Sequence, residues 1–227
     1  MNPSERAKGV QGGDRKAPLV APAGAKPLSK TDRKKELRLT TGKELRGRDK
    51  DMTKPLIILT DIGDTIIDEG TEVRNAADVV IRADCIPGAR ETYLRLHEAG
   101  YTICMVADGL TASFRNLMAL HGLTDIFAVW VVSEEIGEDK PSPKMFQAAF
   151  DALGLTEKDK GRVIMVGNNV KRDMRGAGRF GLRSVLLDWS PRRPFDAEES
   201  EDVPTYTIHL PEELFALCER LNAEVDA

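Results

Sequence analysis

The sequence predicts a three-layer α/β domain built around a parallel sheet. Two observations carry this prediction. From about residue 54 onward, short runs of Val, Ile and Leu bounded by Gly or Pro alternate with longer segments whose apolar residues recur at helical spacing. The first of these runs, Leu56-Ile57-Ile58-Leu59, leads into Thr60-Asp61-Ile62-Gly63-Asp64-Thr65. That order places two carboxylates at the tip of a buried strand, where open α/β sheets hold their ligands.

The elements follow in sequence. Leu56 to Thr60 reads as the first strand, and Pro87-Gly88 opens a helix through Tyr93, Leu94 and Leu96 that closes at Gly100. Tyr101 to Val106 is the second strand, followed by a helix through Phe114, Leu117, Met118 and Leu120 with Gly122 as its cap. Phe127 to Val132 is the third strand, and Pro143 to Leu153 a helix ending at Gly154. Arg162 to Val166 is the fourth strand, Val170 to Phe180 a helix stopped by Gly181, and Ser184 to Leu187 the fifth strand. Tyr206 to His209 reads as a short edge strand and Pro211 to Glu224 as an amphipathic last helix. Repeated βα units of this kind close into a Rossmann-like parallel sheet through right-handed crossovers. Between Thr65 and Pro87 there is room only for a short flap, expected as a hairpin pairing Ile66–Ile67 with Val79–Ile81, and no large cap domain. Phe127 and Trp130 are expected in the core, and Trp189 as a packed loop anchor.

Residues 1–53 read differently. They carry 14 Lys/Arg against 7 Asp/Glu, a net +7, which leaves −11 for the rest of a chain whose total is −4. With almost no apolar periodicity they cannot offset chain entropy. They are therefore expected as a disordered basic arm on an acidic domain spanning residues 54–227. A solvated arm is preferred over one that contacts nucleic acid. Cys85, Cys104 and Cys218 show no paired spacing, and His97, His121 and His209 form no metal-ligand pattern. No stretch approaches the roughly 20 apolar residues a membrane span needs, so the chain is expected in the reducing cytoplasm.

Four segments fall at predicted strand ends and should share one crevice: Asp61-Ile62-Gly63-Asp64-Thr65, Ala107-Asp108-Gly109, Lys140-Pro141 and Gly167-Asn168-Asn169-Val170-Lys171-Arg172-Asp173. In that order they resemble the motifs of the haloacid dehalogenase-like superfamily, most of whose members are Mg²⁺-dependent phosphatases. Asp61 and Thr65 fit its first motif, Lys140 its third, and Gly167, Asn168 and Asp173 its fourth. The resemblance implies that Asp61 is a nucleophile that becomes an aspartyl-phosphate. It further implies that Asp61, the Gly63 carbonyl, Asn168 and Asp173 hold Mg²⁺, and that Lys140 neutralises nucleophile and phosphate. Thr65, Asp108, Gly109 and Lys140 are the candidate phosphate-binding residues, with a phosphorylated molecule, bulky if the site is open, as partner.

The sequence departs from the family's pattern at three positions. Gly63 stands where the family's phosphatases carry the acid that protonates the leaving oxygen, and Asp64, one residue on, is the candidate to replace it. Ala107 stands where a hydroxyl usually meets phosphate; Thr111 or Ser113, or the Asp108 and Gly109 amides, are the candidate replacements. Asn168 substitutes a neutral oxygen donor for a charged one, and it could also cap the following helix. A catalytically weak binding or scaffold protein, and a dehalogenase using the same Asp61 ester, are the alternative readings that Gly63 leaves open. Substrate identity and oligomeric state are not legible in the chain.

Overall fold

Period-two alternation along each strand divides one sheet between two cores. The computed structural model describes residues 54–225, so the arm expected over residues 1–53 lies outside the described residues. In chain order the strands are β1 (Ile57–Thr60), β2 (Val73–Arg74), β3 (Val80–Arg82), β4 (Thr102–Ala107), β5 (Phe127–Val132), β6 (Val163–Gly167), β7 (Arg183–Leu187) and β8 (Tyr206–Ile208). The helices are α1 (Ala89–Glu98), α2 (Thr111–His121), α3 (Ser133–Ile136), α4 (Pro143–Leu153), α5 (Arg175–Phe180) and α6 (Glu213–Val225). Six strands form one sheet in the order β5-β4-β1-β6-β7-β8, with every pairing parallel. β8 is the edge strand the sequence predicts.

All four residues of β1 are buried, as a central strand covered on both faces requires. Ile58, Ile103, Met105 and Ile164 point to the side where Tyr93 and Leu96 of α1, Phe114 and Leu117 of α2 and Leu214 and Leu221 of α6 pack. Leu59, Cys104, Val106 and Met165 point to the other side and meet Met145, Phe146 and Phe150 of α4 and Phe180 of α5. The result is the three-layer arrangement expected from the sequence. The helix boundaries have local causes: Ser142 accepts from the Lys144 amide at 3.2 Å ahead of Pro143, and Gly122 and Gly154 end α2 and α4 in the left-handed region. Phe127 is buried as expected, whereas Trp130 is only half-buried at the margin of the core.

Two local expectations change. The flap strands are Val73–Arg74 and Val80–Arg82, not a pairing of Ile66–Ile67 with Val79–Ile81. Ile66 and Ile67 are apolar enough to be drawn fully inside, where the Ile66 and Ile67 amides both donate to the Ile62 carbonyl (2.9 and 3.0 Å). The flap instead rests on α2, through Val80 N to Ser113 Oγ (2.9 Å) and Asn116 Nδ2 to Val80 O (2.9 Å). The helix expected over Val170–Phe180 begins as a π-helical turn at Val170–Met174 before α5. Its cap is Asn169, whose Oδ1 accepts from the Lys171 and Arg172 amides (3.1 and 3.2 Å), and not Asn168.

Between β7 and β8 a strap crosses the carboxyl edge of the sheet. Lys171 pairs with Asp196 (2.9 Å) and Glu198 (2.6 Å), and Arg175 with Asp202. Asp202 is fully buried and accepts from Arg175 Nε (2.7 Å) and Nη2 (2.9 Å) and from the Glu198 and Glu199 amides (2.8 and 3.0 Å). Among the described residues no helix is long and apolar enough to cross a membrane.

The Arg175 guanidinium holds the Asp202 carboxyl well below the usual carboxylate range. A depressed folded pKa contributes stability above the unfolded value, near ~3.9, and that contribution is lost as pH falls toward the folded one. Asp202→Asn should therefore unfold at lower urea concentration than the wild type at neutral pH. The gap between the two midpoints should narrow progressively as pH drops below about 4.

Candidate active site at the strand ends

β1, β4 and β6 are neighbours in the sheet, so Asp61, Asp108 and Asn168 leave it side by side. The Asp61 amide extends the ladder one step past β1, donating to Val166 O at 2.9 Å. Lys140 arrives from the loop between α3 and α4 and is 97 % removed from solvent, at 3 % exposure. The ammonium donates to Asp61 Oδ1 and to the Val106 carbonyl, each at 2.8 Å, and forms an ion pair with Asp173 Oδ1 at 2.6 Å. Burial alone would lower the Lys140 pKa, but Asp173, Asp61 and Asp108 outweigh it and hold it above its ordinary value. Burial raises the Asp61 carboxyl to about 6, against the pull of Lys140 and with a further push from Asp173.

The segment after β6 is shaped by a close approach. A Cβ on Gly167 would lie 2.3 Å from Asp173 Cγ, so a glycine there lets the Asp173 carboxylate fold back over the strand end. Its other oxygen accepts from the Asn169 amide at 3.0 Å. With Asn169 serving as cap, Asn168 is left facing the cleft, buried, and with no partner for its Nδ2 among the described residues. Among the described residues no three His, Cys, Asp or Glu side chains converge as a metal site. The donor set is instead two carboxylates, Asp61 and Asp173, and the Asn168 amide. These oxygen donors, with one surplus negative charge after Lys140 is counted, fit a hard divalent cation.

The other predicted site residues are distributed as follows. Gly63, Asp108 and Gly109 line the same cleft, which measures about 230 Å³. Asp108 accepts from the Lys140 amide (2.9 Å) and pairs with Arg172 (3.3 Å), and the Gly109 amide donates to Ser133 Oγ (3.0 Å). Of the alternatives for the missing hydroxyl, Thr111 is tied to Glu134 and Glu135, and Ser113 supports the flap while lining the cleft. Thr65 is buried beneath the turn, its hydroxyl without a hydrogen-bond partner among the described residues.

Asp64, the candidate acid, is not among the residues facing the cleft. It is fully buried, sits at φ +48°, and is gripped by Arg192 through Nη2–Oδ1 (2.6 Å) and Nε–Oδ2 (3.1 Å). Trp189 Nε1 donates to its carbonyl at 2.6 Å, the anchoring role expected of that tryptophan. A bidentate Arg–carboxylate pair occupies both oxygens and fixes the side chain, so Asp64 braces the turn and is turned away from the cleft. Arg192 also contacts Asp68, while its neighbour Arg193 reaches Glu69 Oε2 at 3.1 Å. Burial and then the Asp64 charge hold the Glu69 carboxyl above its usual range.

Glu69, Arg172, Arg192 and Arg193 were not predicted. For Glu69, Arg192 and Arg193 the signal is the charge imbalance at residues 61–72, where Asp61, Asp64, Asp68, Glu69 and Glu72 fall within twelve positions without one Lys or Arg; Arg172, within the fourth strand-end segment, pairs with Asp108. So many carboxylates require cations from elsewhere in the chain, and Pro191-Arg192-Arg193-Pro194 supplies them.

The model of the haloacid dehalogenase-like hydrolase family matches residues 19–181. A glyceraldehyde 3-phosphate phosphatase of Methanopyrus kandleri is 30% identical over 135 residues, 60% of this chain and 57% of the relative. A glyceraldehyde 3-phosphate phosphatase of Pyrococcus furiosus is 31% identical over 137 residues, 60% of this chain and 55% of that one. The chain thus spans little more than half the length of these relatives. The magnesium-bound HAD-hydrolase YfnB of Bacillus subtilis superposes with a TM-score of 0.52 at 22% identity, covering 60% of this chain and 56% of that one, a likeness of fold.

Removing one member of a buried charge cluster leaves the others uncompensated. Lys140→Met should cost about 3–5 kcal/mol of stability in urea unfolding without divalent cations, since Asp61 and Asp173 would then face each other unneutralised.

Proposed function

The chain belongs to the haloacid dehalogenase-like hydrolase family, and from that premise we propose that it is a Mg²⁺-dependent phosphatase acting on a small phosphate ester. The observation that carries this reading is the Lys140 ammonium set between Asp61 and Asp173 at the floor of the cleft. Lys140 holds Asp61 Oδ1, which leaves the second oxygen to attack phosphorus, and it meets the charge of the transferring group as a point cation. Attack forms an aspartyl-phosphate on Asp61, and water then releases phosphate, so one difficult displacement becomes two easier ones. Asp61, Asp173 and Asn168 would hold Mg²⁺, with the Gly63 carbonyl as a further oxygen donor. When bound, the cation screens phosphate from carboxylate and polarises the phosphoryl oxygens.

A cleft of about 230 Å³, walled on one side by Arg74 and Val80 of the flap, suits a phosphoryl group on a short carbon skeleton. The relatives named as glyceraldehyde 3-phosphate phosphatases support substrates of that size. Three unpaired cysteines support a reducing, cytoplasmic setting. A binding or scaffold protein is the second reading, favoured by the ion pair that removes Asp64 from acid–base chemistry.

A panel of phosphate monoesters together with p-nitrophenyl phosphate tests this directly. Turnover should require Mg²⁺, disappear with EDTA, and fall at least ~10³-fold in Asp61→Asn. A wild type no faster than Asp61→Asn on every ester would leave the scaffold reading standing instead.

A further inference from the structure

Glu69 occupies the space that Gly63 leaves empty. A Cβ on Gly63 would lie 2.1 Å from Glu69 Oε1 and 2.9 Å from Glu69 Cδ. The carboxylate of a residue six positions on therefore stands directly over the turn that follows Asp61, and it lines the cleft with Asp61 and Lys140. Arg193 binds Oε2 at 3.1 Å and fixes the side chain, while among the described residues Oε1 has no hydrogen-bond partner.

Phosphoryl transfer from an alkyl ester expels an alkoxide, a base far too strong to leave unprotonated at neutral pH. A positioned carboxyl that delivers the proton typically contributes roughly 10²- to 10⁴-fold. The other carboxylates around the cleft are committed. Asp61 is the nucleophile and Asp173 is bound to the Lys140 ammonium. Asp108 is held by the Lys140 amide and Arg172, Asp64 by Arg192, and Glu72 and Asp78 both by Arg74.

We propose that Glu69 is the catalytic proton-transfer residue of this site, supplying from the loop the carboxyl that Gly63 cannot carry. The assignment rests on the phosphatase reading. In the first step an Asp61 oxygen bonds to phosphorus, the ester P–O bond breaks, and the Glu69 proton passes to the departing oxygen, giving the alcohol and a Glu69 carboxylate. In the second step Glu69 takes a proton from water as its oxygen bonds to phosphorus. The P–O bond to Asp61 then breaks, releasing phosphate and returning both side chains to their starting forms.

The test compares wild type, Asp61→Asn, Glu69→Gln and the double variant Gly63→Asp/Glu69→Ala on an alkyl phosphate and on p-nitrophenyl phosphate, whose leaving group needs little protonation. Glu69→Gln should lose about 10²-fold or more in kcat on the alkyl ester. On p-nitrophenyl phosphate it should release about one equivalent of p-nitrophenol in a burst before slow turnover, because attack proceeds while the aspartyl-phosphate waits for its base. The double variant should regain most of the alkyl-ester activity. It places a carboxylate on the Gly63 backbone once the Glu69 side chain, which would collide with it, is gone. Wild-type turnover that Asp61→Asn abolishes and Glu69→Gln leaves intact would overturn the Glu69 assignment alone. No turnover by the wild type on either ester would overturn the phosphatase reading and this assignment with it.

Discussion

The buried ammonium of Lys140 is the constraint around which the site is organised. An ammonium taken out of water costs several kcal/mol unless acceptors replace its hydration. Here all three partners come from strand ends: the acceptors Asp61 after β1 and the Val106 carbonyl within β4, and the Asp173 carboxylate after β6 as an ion pair. Satisfying one cation thus fixes the relative positions of three loops. The same demand explains Gly167, because a side chain there would displace Asp173 and leave the ammonium short of a partner. It also explains why Asp61, half-buried, remains at the cleft with an oxygen to spare.

A second set of charges holds the turn from the opposite side. The stretch from Asp61 to Glu72 is strongly acidic and would repel itself if left alone. The strap between β7 and β8 brings Arg192 against Asp64 and Asp68, Arg193 against Glu69, and Trp189 against the Asp64 carbonyl. The strap is itself pinned to the first turns after β6 by Asp202 and Arg175 and by Lys171 with Asp196 and Glu198. Through two sets of ion pairs the strap thus ties the turn that carries Asp173 to the loop that carries Glu69. The carboxylates of the turn have consequently separated in role: Asp64 braces, whereas Glu69 faces the chemistry.

The elements that the sequence predicted well are those governed by local rules. The buried runs of β1 and β5, and the ends of α2 and α4 at Gly122 and Gly154, follow from apolar periodicity and from glycine in the left-handed region. The flap pairs differently from the expectation because Ile66 and Ile67 look like strand residues whether they face a partner strand or the core. Only the packing of the Ile62 turn decides between these. The choice of Asn169 over Asn168 as cap had the same character: two adjacent asparagines satisfy one local rule equally, and the register of the π-helical turn selects between them.

The sequence by itself determined the three-layer parallel sheet and the order of strand ends that unites Asp61, Lys140, Asn168 and Asp173. Periodicity and strand-end position are local properties, and the parallel topology then brings those ends together. Which carboxylate of the acidic turn keeps an oxygen open to the cleft, and which is locked, is decided only by the tertiary structure. Arg192 and Arg193 lie more than a hundred residues from Asp64 and Glu69, and ion pairs act through space irrespective of separation along the chain. No pattern within the turn itself distinguishes a carboxylate that will meet both nitrogens of a guanidinium from one that will lean over a glycine toward the cleft.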